Sequence, residues 1–329
     1  KLLNKEIPEV GTTVFRPPYT PISIGALAGR NVGKHFRPLR VTPMHQWNLK
    51  HGAIMIEAGL YQRPWYYPKK NETLSDSYIR EATTVRKSVG ICDVTSLGKI
   101  SIQGPDSTEF LNRIYTNPFA KLPINKARYG IMLRDDGLVM DDGTSWRISE
   151  NEYFMTTSTA QAAKVMAWLE ELLQTRWTEL RVNVTSVSEQ WAAAAISGPK
   201  SREVLNECLV DSNLITNENL PFMGFINTTF KNNIPCRIAR ISFSGELGYE
   251  VYVNSDYAYS VMDILWKVTN DFNGCLYGLE ALGALRVEKG HVTGAELDGR
   301  VTIDDAELGK MASNKKSYIG SSMRKRGVL

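Results

Sequence analysis

The first candidate for chemistry is an acidic stretch, RDDGLVMDDG at residues 134–143, in which four carboxylates stand beside two glycines. Aspartate and glycine favour tight turns, so one interpretation is an ordinary hairpin. The alternative is that Asp141 or Asp142, just past the turn, projects a carboxylate into a cleft. There it can act as a base or stabilise positive charge. The residues alone leave both interpretations open.

The second candidate is RISFSGELGYE at residues 240–250, which predicts a hairpin with a glycine-flanked turn and charges on both arms. One interpretation is a surface salt bridge across the hairpin. The other is recognition of a planar heterocycle, because a carboxylate can accept two parallel hydrogen bonds from adjacent N–H groups on a ring edge. Glu250 or Glu246 can supply that carboxylate, with Phe243 and Tyr249 as walls.

The sequence lacks the motifs of several other kinds of site. A calcium loop is disfavoured, because Gly137 and Val139 occupy alternate ligand positions and the twelfth residue from Asp135 is Trp146. No GxGxxG follows a predicted strand, so we expect no flavin or NAD on this segment. The cysteines have no zinc spacing and we expect them to be free, buried thiols; they are Cys92, Cys208, Cys236 and Cys275. We therefore expect no metal site.

Composition excludes several classes of protein. With 43% hydrophobic and 22% charged residues, the chain has the balance of a globular protein. The net charge of +4 is spread thinly, without the basic stripe and interleaved aromatics of a nucleic-acid binder. There is no apolar run of about 18 residues and no signal-peptide pattern. We expect a cytoplasmic protein that binds neither nucleic acid nor membrane.

The elements that must position these candidates mix strands and helices, without regular βαβ alternation. Alternating or apolar runs predict strands at residues 99–102, 129–133, 153–157, 183–187, 191–196, 236–243 and 249–253. Helical spacing predicts a helix from about residue 76 to 89 and others at 106–114, near 159–172, up to 208, after 255 and at 279–289. We therefore expect an α+β fold.

Local signals predict where several helices begin. Asp106, then Ser158 or Thr159, and finally Ser255 are expected to cap the helices that follow them. Gly-Pro follows a strand and precedes a helix twice, at 104–105 and at 198–199, which hints at a duplicated unit.

At the two candidate stretches the chain resembles the aminomethyltransferase family, the T-protein of the glycine cleavage system. RISFSGELGYE is similar to the family's Arg, aromatic, Gly-Glu, Gly-aromatic-Glu pattern, and GLVMDDG to its hairpin ending in the catalytic acid. Further similar stretches follow in the family's order from about residue 41 to 320: DVTSLGKI, EFLNRIYTN, ARYG, SGP and LRVEKG. Within the family the chain resembles more closely the alpha subunit of heterotetrameric sarcosine oxidase, at RPPYTPISIGALAGR, YQRPWYYP, RIYTNPFAKL and SVSEQWA.

The resemblance implies a role for individual residues. Asp142 matches the catalytic aspartate, with Asp141 as its neighbour and alternative. Glu250 matches the glutamate that holds the pterin edge of tetrahydrofolate, and Arg240 the arginine of the folate site. Leu97 and Tyr129 match positions that line the folate slot, and Phe243 stands where many members have tyrosine.

The resemblance also implies an architecture of two interleaved α/β subdomains forming a folate-binding fold, lacking most or all of the family's C-terminal β-barrel. We expect an extended N-terminal arm over residues 1–40 and a folate-binding domain over 41–310. Residues 311–329 are expected to start a linker to the missing barrel.

The function implied is a tetrahydrofolate-dependent one-carbon acceptor. Its partners would be a sarcosine-derived iminium or formaldehyde, and other sarcosine oxidase subunits or domains that carry flavin. The alternatives are a stand-alone aminomethyltransferase fed by a lipoyl carrier, and a folate-binding protein without catalysis.

Overall fold

The structure is a computed structural model that describes residues 39–297 and 299–324. The chain divides into two compact units, residues 1–40 and 41–329. The first unit, where the extended arm is predicted, lies outside the described residues except for its last two positions. The fold below is therefore that of the second unit, and the predicted domain boundaries stay predictions.

The strands are β1 (Arg40–Val41), β2 (Ile54–Ala58), β3 (Tyr61–Tyr66), β4 (Gly90–Asp93), β5 (Gly98–Gln103), β6 (Ala127–Leu133), β7 (Val139–Ser149), β8 (Glu152–Thr157), β9 (Asn183–Ser186), β10 (Trp191–Ser197), β11 (Phe225–Thr229), β12 (Pro235–Ala239), β13 (Gly248–Asn254) and β14 (Cys275–Leu276). The α-helices are α1 (His45–Lys50), α2 (Leu74–Lys87), α3 (Ser107–Ile114), α4 (Ala162–Glu171), α5 (Ser201–Cys208), α6 (Ala258–Asp271) and α7 (Leu279–Lys289).

These strands form three sheets. A 6-stranded sheet has the order β11-β12-β13-β10-β4-β14, a 5-stranded sheet the order β6-β7-β8-β5-β9, and a 3-stranded sheet the order β1-β3-β2. In the 6-stranded sheet β14 pairs parallel with β4, whereas β4, β10, β13, β12 and β11 pair antiparallel. The expected α+β class is confirmed.

Trp146 of β7 joins the two larger sheets. Its side chain is fully buried, and its ring lies 5.5 Å from the ring of Phe225 in β11 and 5.0 Å from that of Tyr252 in β13. Aromatic pairs at these distances prefer tilted or edge-to-face geometry, as here, and bury a large apolar area. This contact therefore fixes β7 against β13, the strands that carry the two predicted carboxylates.

The two Gly-Pro breaks have the same local geometry. Gly104 and Gly198 have φ angles of 137° and 128°, which favour glycine. A Cβ atom would lie 2.1 Å from the Arg181 carbonyl oxygen at Gly104, and 2.4 Å from the Ser88 carbonyl oxygen at Gly198. Each break thus turns its chain from a strand into a short helix, α3 or α5, while a neighbouring segment passes too closely for any other residue.

The predicted caps are wrong in detail. Asp106 stands at the N-cap of α3 without a side-chain cap bond, because its carboxylate accepts instead from the backbone N–H of Arg181 at 2.9 Å. The next helix, α4, begins at Ala162, later than a cap at Ser158 or Thr159 allows. At the entry to α6, Asn254 rather than Ser255 accepts the capping bond, from Asp256 N–H. Tertiary contacts therefore determine how these three helices begin.

The second candidate stretch is a longer loop than predicted. Strand β12 ends at Ala239 and β13 begins at Gly248, so residues 240–247 lie outside both strands. The backbone of Arg240 still bonds across, donating to the Gly224 carbonyl and accepting from Met223 N–H. These bonds continue the pairing of β11 with β12, and the residues after Arg240 form a loop rather than a tight hairpin turn.

The last described residues pack against the 5-stranded sheet. Val139 N–H donates to the Val301 carbonyl, and Ile319 N–H donates to the Arg113 carbonyl at 3.0 Å. Tyr318 and Ile319 are buried.

The four cysteines are buried and free, as predicted. Across residues 39–297 and 299–324, no helix combines the length and apolarity needed to cross a membrane.

Candidate functional site

A cavity of about 750 Å³ lies where the two larger sheets meet helix α7. The 5-stranded sheet lines it with residues of β7 and β8, the 6-stranded sheet with residues of β10 and β13, and α7 with Leu279, Leu282 and Arg286. Six of the predicted site residues line this cavity: Leu97, Tyr129, Asp142, Phe243, Glu246 and Glu250. The other two, Asp141 and Arg240, do not.

Asp142 presents its carboxylate to the cavity from β7, where it pairs in register with Ile131 of β6. The hydroxyl of Tyr129 donates a hydrogen bond of 2.6 Å to its Oδ2. Burial raises the pKa of Asp142, and the bond from Tyr129 acts in the opposite direction. A carboxylate in such surroundings can accept a proton or stabilise a cation.

Asp141 has a different environment. Successive side chains of a strand point to opposite faces, and Asp141 is only 4% exposed, with Oδ2 accepting from the backbone N–H of Ser158 at 3.1 Å. Burial raises the pKa of Asp141 to about 7, with the charge of Asp142 adding to the increase. Asp141 ties β7 to the start of the segment after β8 and does not face the cavity.

Glu250 enters the cavity from the opposite sheet. It stands on β13 between Ala195 of β10, which also lines the cavity, and the buried Ala239 of β12. Tyr252 donates a hydrogen bond of 2.8 Å to its Oε2. Burial raises the pKa of Glu250, whereas the bond from Tyr252 and the charge of Lys99 lower it. An ionised carboxylate keeps acceptor capacity for further donors.

The two charged residues of the 240–247 loop are engaged elsewhere. Arg240 donates to Asn217 Oδ1 at 2.9 Å and to the Leu220 carbonyl at 3.3 Å. Glu246 lines the cavity but forms an ion pair with Arg86, on helix α2. The predicted cross-hairpin salt bridge is therefore wrong, because the partner of Glu246 comes from a distant helix. Glu250 is the better candidate of the two for binding a ligand.

The aromatic walls are also only partly as predicted. Phe243 lines the cavity and stacks on His291 with ring centroids 5.7 Å apart. Tyr249 is fully buried and its hydroxyl accepts from Arg202 Nε at 3.2 Å, so it belongs to the core instead. His291 is a wall that the sequence did not single out.

A chain of hydroxyl groups connects the sheet contact to the cavity. Trp146 Nε1 donates to Thr144 Oγ1 at 2.7 Å, and Thr144 Oγ1 lies 2.9 Å from Thr156 Oγ1. Both threonines line the cavity. The buried indole thus orients polar groups of the site, and no local signal in the sequence identified them.

Two buried cations lie close to the carboxylates. Lys99 is fully buried, and its Nζ donates to the carbonyls of Thr95 and Leu97. Burial lowers the pKa of Lys99 to about 8, against the nearby carboxylates, which raise it. Arg63 lines the cavity from β3. The only sequence signal for it was an arginine within an otherwise aromatic segment, YQRPWY.

The chain has relatives among known proteins. The family model described as GCVT N-terminal domain matches residues 44–316. The chain is 47% identical to the "Sarcosine oxidase subunit alpha" of Rhizobium meliloti over 98% of its length, covering 33% of that protein. It is 46% identical to the protein of the same name from Corynebacterium sp. over 95% of its length, covering 32%. The chain therefore spans about a third of these relatives.

Aminomethyltransferases are more distant relatives that the chain covers more fully. The "Aminomethyltransferase" of Halothermothrix orenii is 30% identical over 86% of the chain and 74% of that protein. The solved structure of glycine cleavage system aminomethyltransferase T from Bartonella henselae aligns with a TM-score of 0.74 and 23% identity over 87% of the chain and 73% of the structure. That likeness confirms the predicted fold, and with the family match the chain belongs to the GCVT N-terminal domain family.

Proposed function

We propose that this chain is the tetrahydrofolate-dependent one-carbon acceptor module of a sarcosine oxidase. In this role it captures the methylene-level carbon of oxidised sarcosine as 5,10-methylenetetrahydrofolate. One observation carries the proposal: Asp142 and Glu250, from two different sheets, line the same cavity. One carboxylate can hold the ligand while the other acts at the reacting centre.

Glu250 is the proposed anchor. The pterin ring of tetrahydrofolate has an edge with adjacent N–H donors, which a carboxylate accepts as a pair of charge-assisted hydrogen bonds. Tyr252 holds the Glu250 carboxylate through Oε2, so the anchor is already oriented before a ligand arrives. Leu97 and Phe243 supply apolar and aromatic surface beside it.

Asp142 is the proposed reactive group. When a folate nitrogen attacks an iminium ion or formaldehyde, positive charge is present or develops at nitrogen and a proton must leave. A buried carboxylate beside that nitrogen stabilises the charge and can accept the proton. Holding both reactants there also supplies proximity, worth roughly 7 to 11 kcal/mol at best.

The carbon would come from elsewhere in a larger assembly. The relatives named sarcosine oxidase subunit alpha are about three times as long as the stretch matched here, so the oxidising flavin site is assigned to other segments or subunits. A stand-alone aminomethyltransferase, the second candidate, is favoured by the coverage of the Halothermothrix protein. It would take its carbon from an aminomethyl-lipoyl carrier.

The first experiment is calorimetric titration of the protein with tetrahydrofolate. Glu250→Gln keeps the size of the side chain but removes the charge that strengthens both hydrogen bonds. We expect affinity to fall at least about tenfold, since a hydrogen bond to a charged group is worth roughly 1.5 to 3 kcal/mol. Glu246→Gln is the matched control, because it removes a carboxylate of the same cavity that is paired with Arg86. Equal affinity in wild type and Glu250→Gln would contradict the proposal.

The second experiment identifies the carbon donor. The complete complex is supplied with tetrahydrofolate and either sarcosine or an aminomethyl-lipoyl carrier protein, and 5,10-methylenetetrahydrofolate is measured. The proposal predicts product from sarcosine. Product from the carrier alone would make the chain an aminomethyltransferase, and binding without product from either donor would leave only a folate-binding protein.

A further inference from the structure

Arg63 is a buried cation whose hydrogen bonding is incomplete. It lies on β3, is 7% exposed and lines the cavity. Its Nη2 donates to the Asp93 carbonyl at 2.9 Å. Its Nε is also buried and has no hydrogen-bond partner within the described part of the chain. A nearly buried charge is costly unless it is well supplied with acceptors, so a guanidinium with these few bonds at a cavity wall points to a ligand that carries an acceptor atom.

The surroundings of Arg63 do not neutralise it. Asp93, whose backbone carbonyl accepts from Arg63, directs its carboxylate to other donors, Thr42, Asn48 and the backbone N–H of Thr95. Burial raises the pKa of the neighbouring Cys92 to about 12, against the opposing charge of Arg63, so this thiol stays neutral. No carboxylate of residues 39–297 and 299–324 forms an ion pair with the guanidinium.

Arg63 bonds to the carbonyl of Asp93, next to Cys92, and Cys92 begins a row of residues that ends at Glu250. Cys92 of β4, Ala195 of β10 and Glu250 of β13 stand directly opposite one another in the sheet. Neighbouring strands are roughly 4.8 Å apart, so Cys92 and Glu250 are separated by roughly 10 Å. Ala195, between them, lines the cavity with a methyl group. A flat ring resting on Ala195 is within reach of the guanidinium near Cys92 and of the carboxylate.

We propose that the guanidinium of Arg63 donates to the ring carbonyl oxygen of the same ligand whose N–H edge Glu250 accepts, an inference that rests on the proposed function. In a 2-amino-4-oxo pterin the carbonyl stands next to that N–H edge. The guanidinium has donors and no acceptor. Arg63 therefore selects a carbonyl at this position and rejects an amino group, which would place two donors face to face.

The test compares tetrahydrofolate with its 4-amino analogue, in which NH₂ replaces the carbonyl oxygen and the adjacent ring nitrogen loses its hydrogen. Glu250 also responds to that second change, but it does so equally in every variant at Arg63, so a change in the affinity ratio reports on Arg63. Calorimetry gives the ratio of the two affinities for wild type, Arg63→Met and Arg63→Gln. Glutamine can donate to a carbonyl or accept from an amino group, and methionine can do neither. We expect the preference for the carbonyl compound to fall at least about tenfold in both variants, because the donor that distinguishes the two groups is gone.

Arg80→Met is the matched control. Arg80 is another partly buried arginine that donates to a backbone carbonyl, that of Tyr67, but its Nε is paired with Glu72 and it does not line the cavity. Its loss should leave the ratio unchanged. If the ratio also stays unchanged in Arg63→Met or Arg63→Gln while tetrahydrofolate still binds, this inference is overturned and the proposed function is not.

A structure of the unmodified protein with tetrahydrofolate tests the same contact without any substitution. We expect a guanidinium nitrogen of Arg63 within about 3.2 Å of the ring carbonyl oxygen. A bound pterin whose carbonyl faces another donor overturns the inference even if Glu250 holds the N–H edge as proposed. Failure of the wild-type protein to bind either compound overturns the proposed function and this inference together.

Discussion

The hydroxyl of Tyr129 donates a 2.6 Å hydrogen bond to Oδ2 of Asp142. Tyr129 stands on β6 and Asp142 on β7, the two strands of the acidic hairpin. Burial of Asp142 favours its protonated form, whereas this bond favours the ionised form. The pair therefore influences the pH at which Asp142 becomes negatively charged.

Replacing Tyr129 by phenylalanine should move the pH dependence of one-carbon transfer. The variant loses the donor that lowers the pKa of Asp142, so this pKa rises and the carboxylate is protonated at higher pH. With ionised Asp142 required, the acid limb of the rate profile shifts upward by roughly one to two pH units, the equivalent of one charged hydrogen bond. The measurement is the pH profile of 5,10-methylenetetrahydrofolate formation in the complete complex. A lower rate with an unmoved acid limb would assign Tyr129 to positioning only.

Asp142→Asn separates binding from chemistry. Asparagine keeps the size and one acceptor oxygen of aspartate but removes the charge. We expect folate affinity to stay within a few-fold while product formation falls roughly a hundredfold or more, the usual effect of losing one preorganised group. Under the proposed function sarcosine is oxidised at a separate site, so its oxidation should continue, with the carbon released as formaldehyde. The two products are measured side by side.

Asp141→Asn is the control for that experiment, because the neighbouring carboxylate bonds to Ser158 N–H and does not line the cavity. Its effect on product formation should be much smaller. Normal folate product from Asp142→Asn, or loss confined to Asp141→Asn, would reverse the assignment of the two residues.

Asp141 should instead govern how stability changes with pH. Its folded-state pKa is raised from 3.8 to about 7, chiefly by burial. Between these values the folded state binds a proton that the unfolded state has released, so this contribution to stability is complete below the lower value and is lost as pH rises through about 7. The slope from one such group is at most about 1.4 kcal/mol per pH unit.

Chemical denaturation of wild type and Asp141→Asn at pH values across this range checks the sign. The free energy of unfolding of the wild type relative to the variant should decrease as pH increases. Glu81→Gln is a useful comparison, because burial also raises the pKa of Glu81 to about 7 at a place remote from the acidic hairpin. A difference between wild type and Asp141→Asn that does not depend on pH would show that Asp141 ionises normally.

Tyr252→Phe should weaken folate binding indirectly. Tyr252 donates to Glu250 Oε2 and lowers the pKa of that carboxyl, against burial. Without the hydroxyl, the pKa of Glu250 rises further. As the pH is lowered, the variant should therefore lose its affinity for tetrahydrofolate at a higher pH than the wild type does. Titrations with tetrahydrofolate at several pH values measure this shift. Tyr153→Phe, which removes another buried phenol paired with Thr108, is the control and should leave the pH dependence unchanged.

Much of the local structure could be predicted from the sequence. Helix α7 has the predicted limits, Leu279–Lys289, and the hairpin turn at Asp136-Gly137 lies where glycine allows a φ of 86°. These features depend on neighbours along the chain. The motif likeness also directed attention to Asp142 and Glu250, both of which line the cavity.

Contacts between distant segments could not be predicted in this way. The backbone of Arg240 pairs with Met223 and Gly224, and the bond that diverts Asp106 from capping comes from Arg181. Neither partner is marked by any pattern near the residue it binds. For the same reason Arg240, predicted for the folate site, bonds to Asn217 instead.

The sequence by itself determined the fold class, the two acidic motifs and many of the elements, because turn chemistry and hydrophobic period act over a few residues. It did not predict others, among them β7, which carries Asp142. Only the tertiary structure decided which of two adjacent aspartates faces the cavity, and that Arg63 shares this cavity with Glu250. The physical reason is that both depend on how β7 and β3 lie against strands far away in the chain. That arrangement comes from burial of side chains such as Trp146 between the sheets, a contact that no short stretch of sequence encodes.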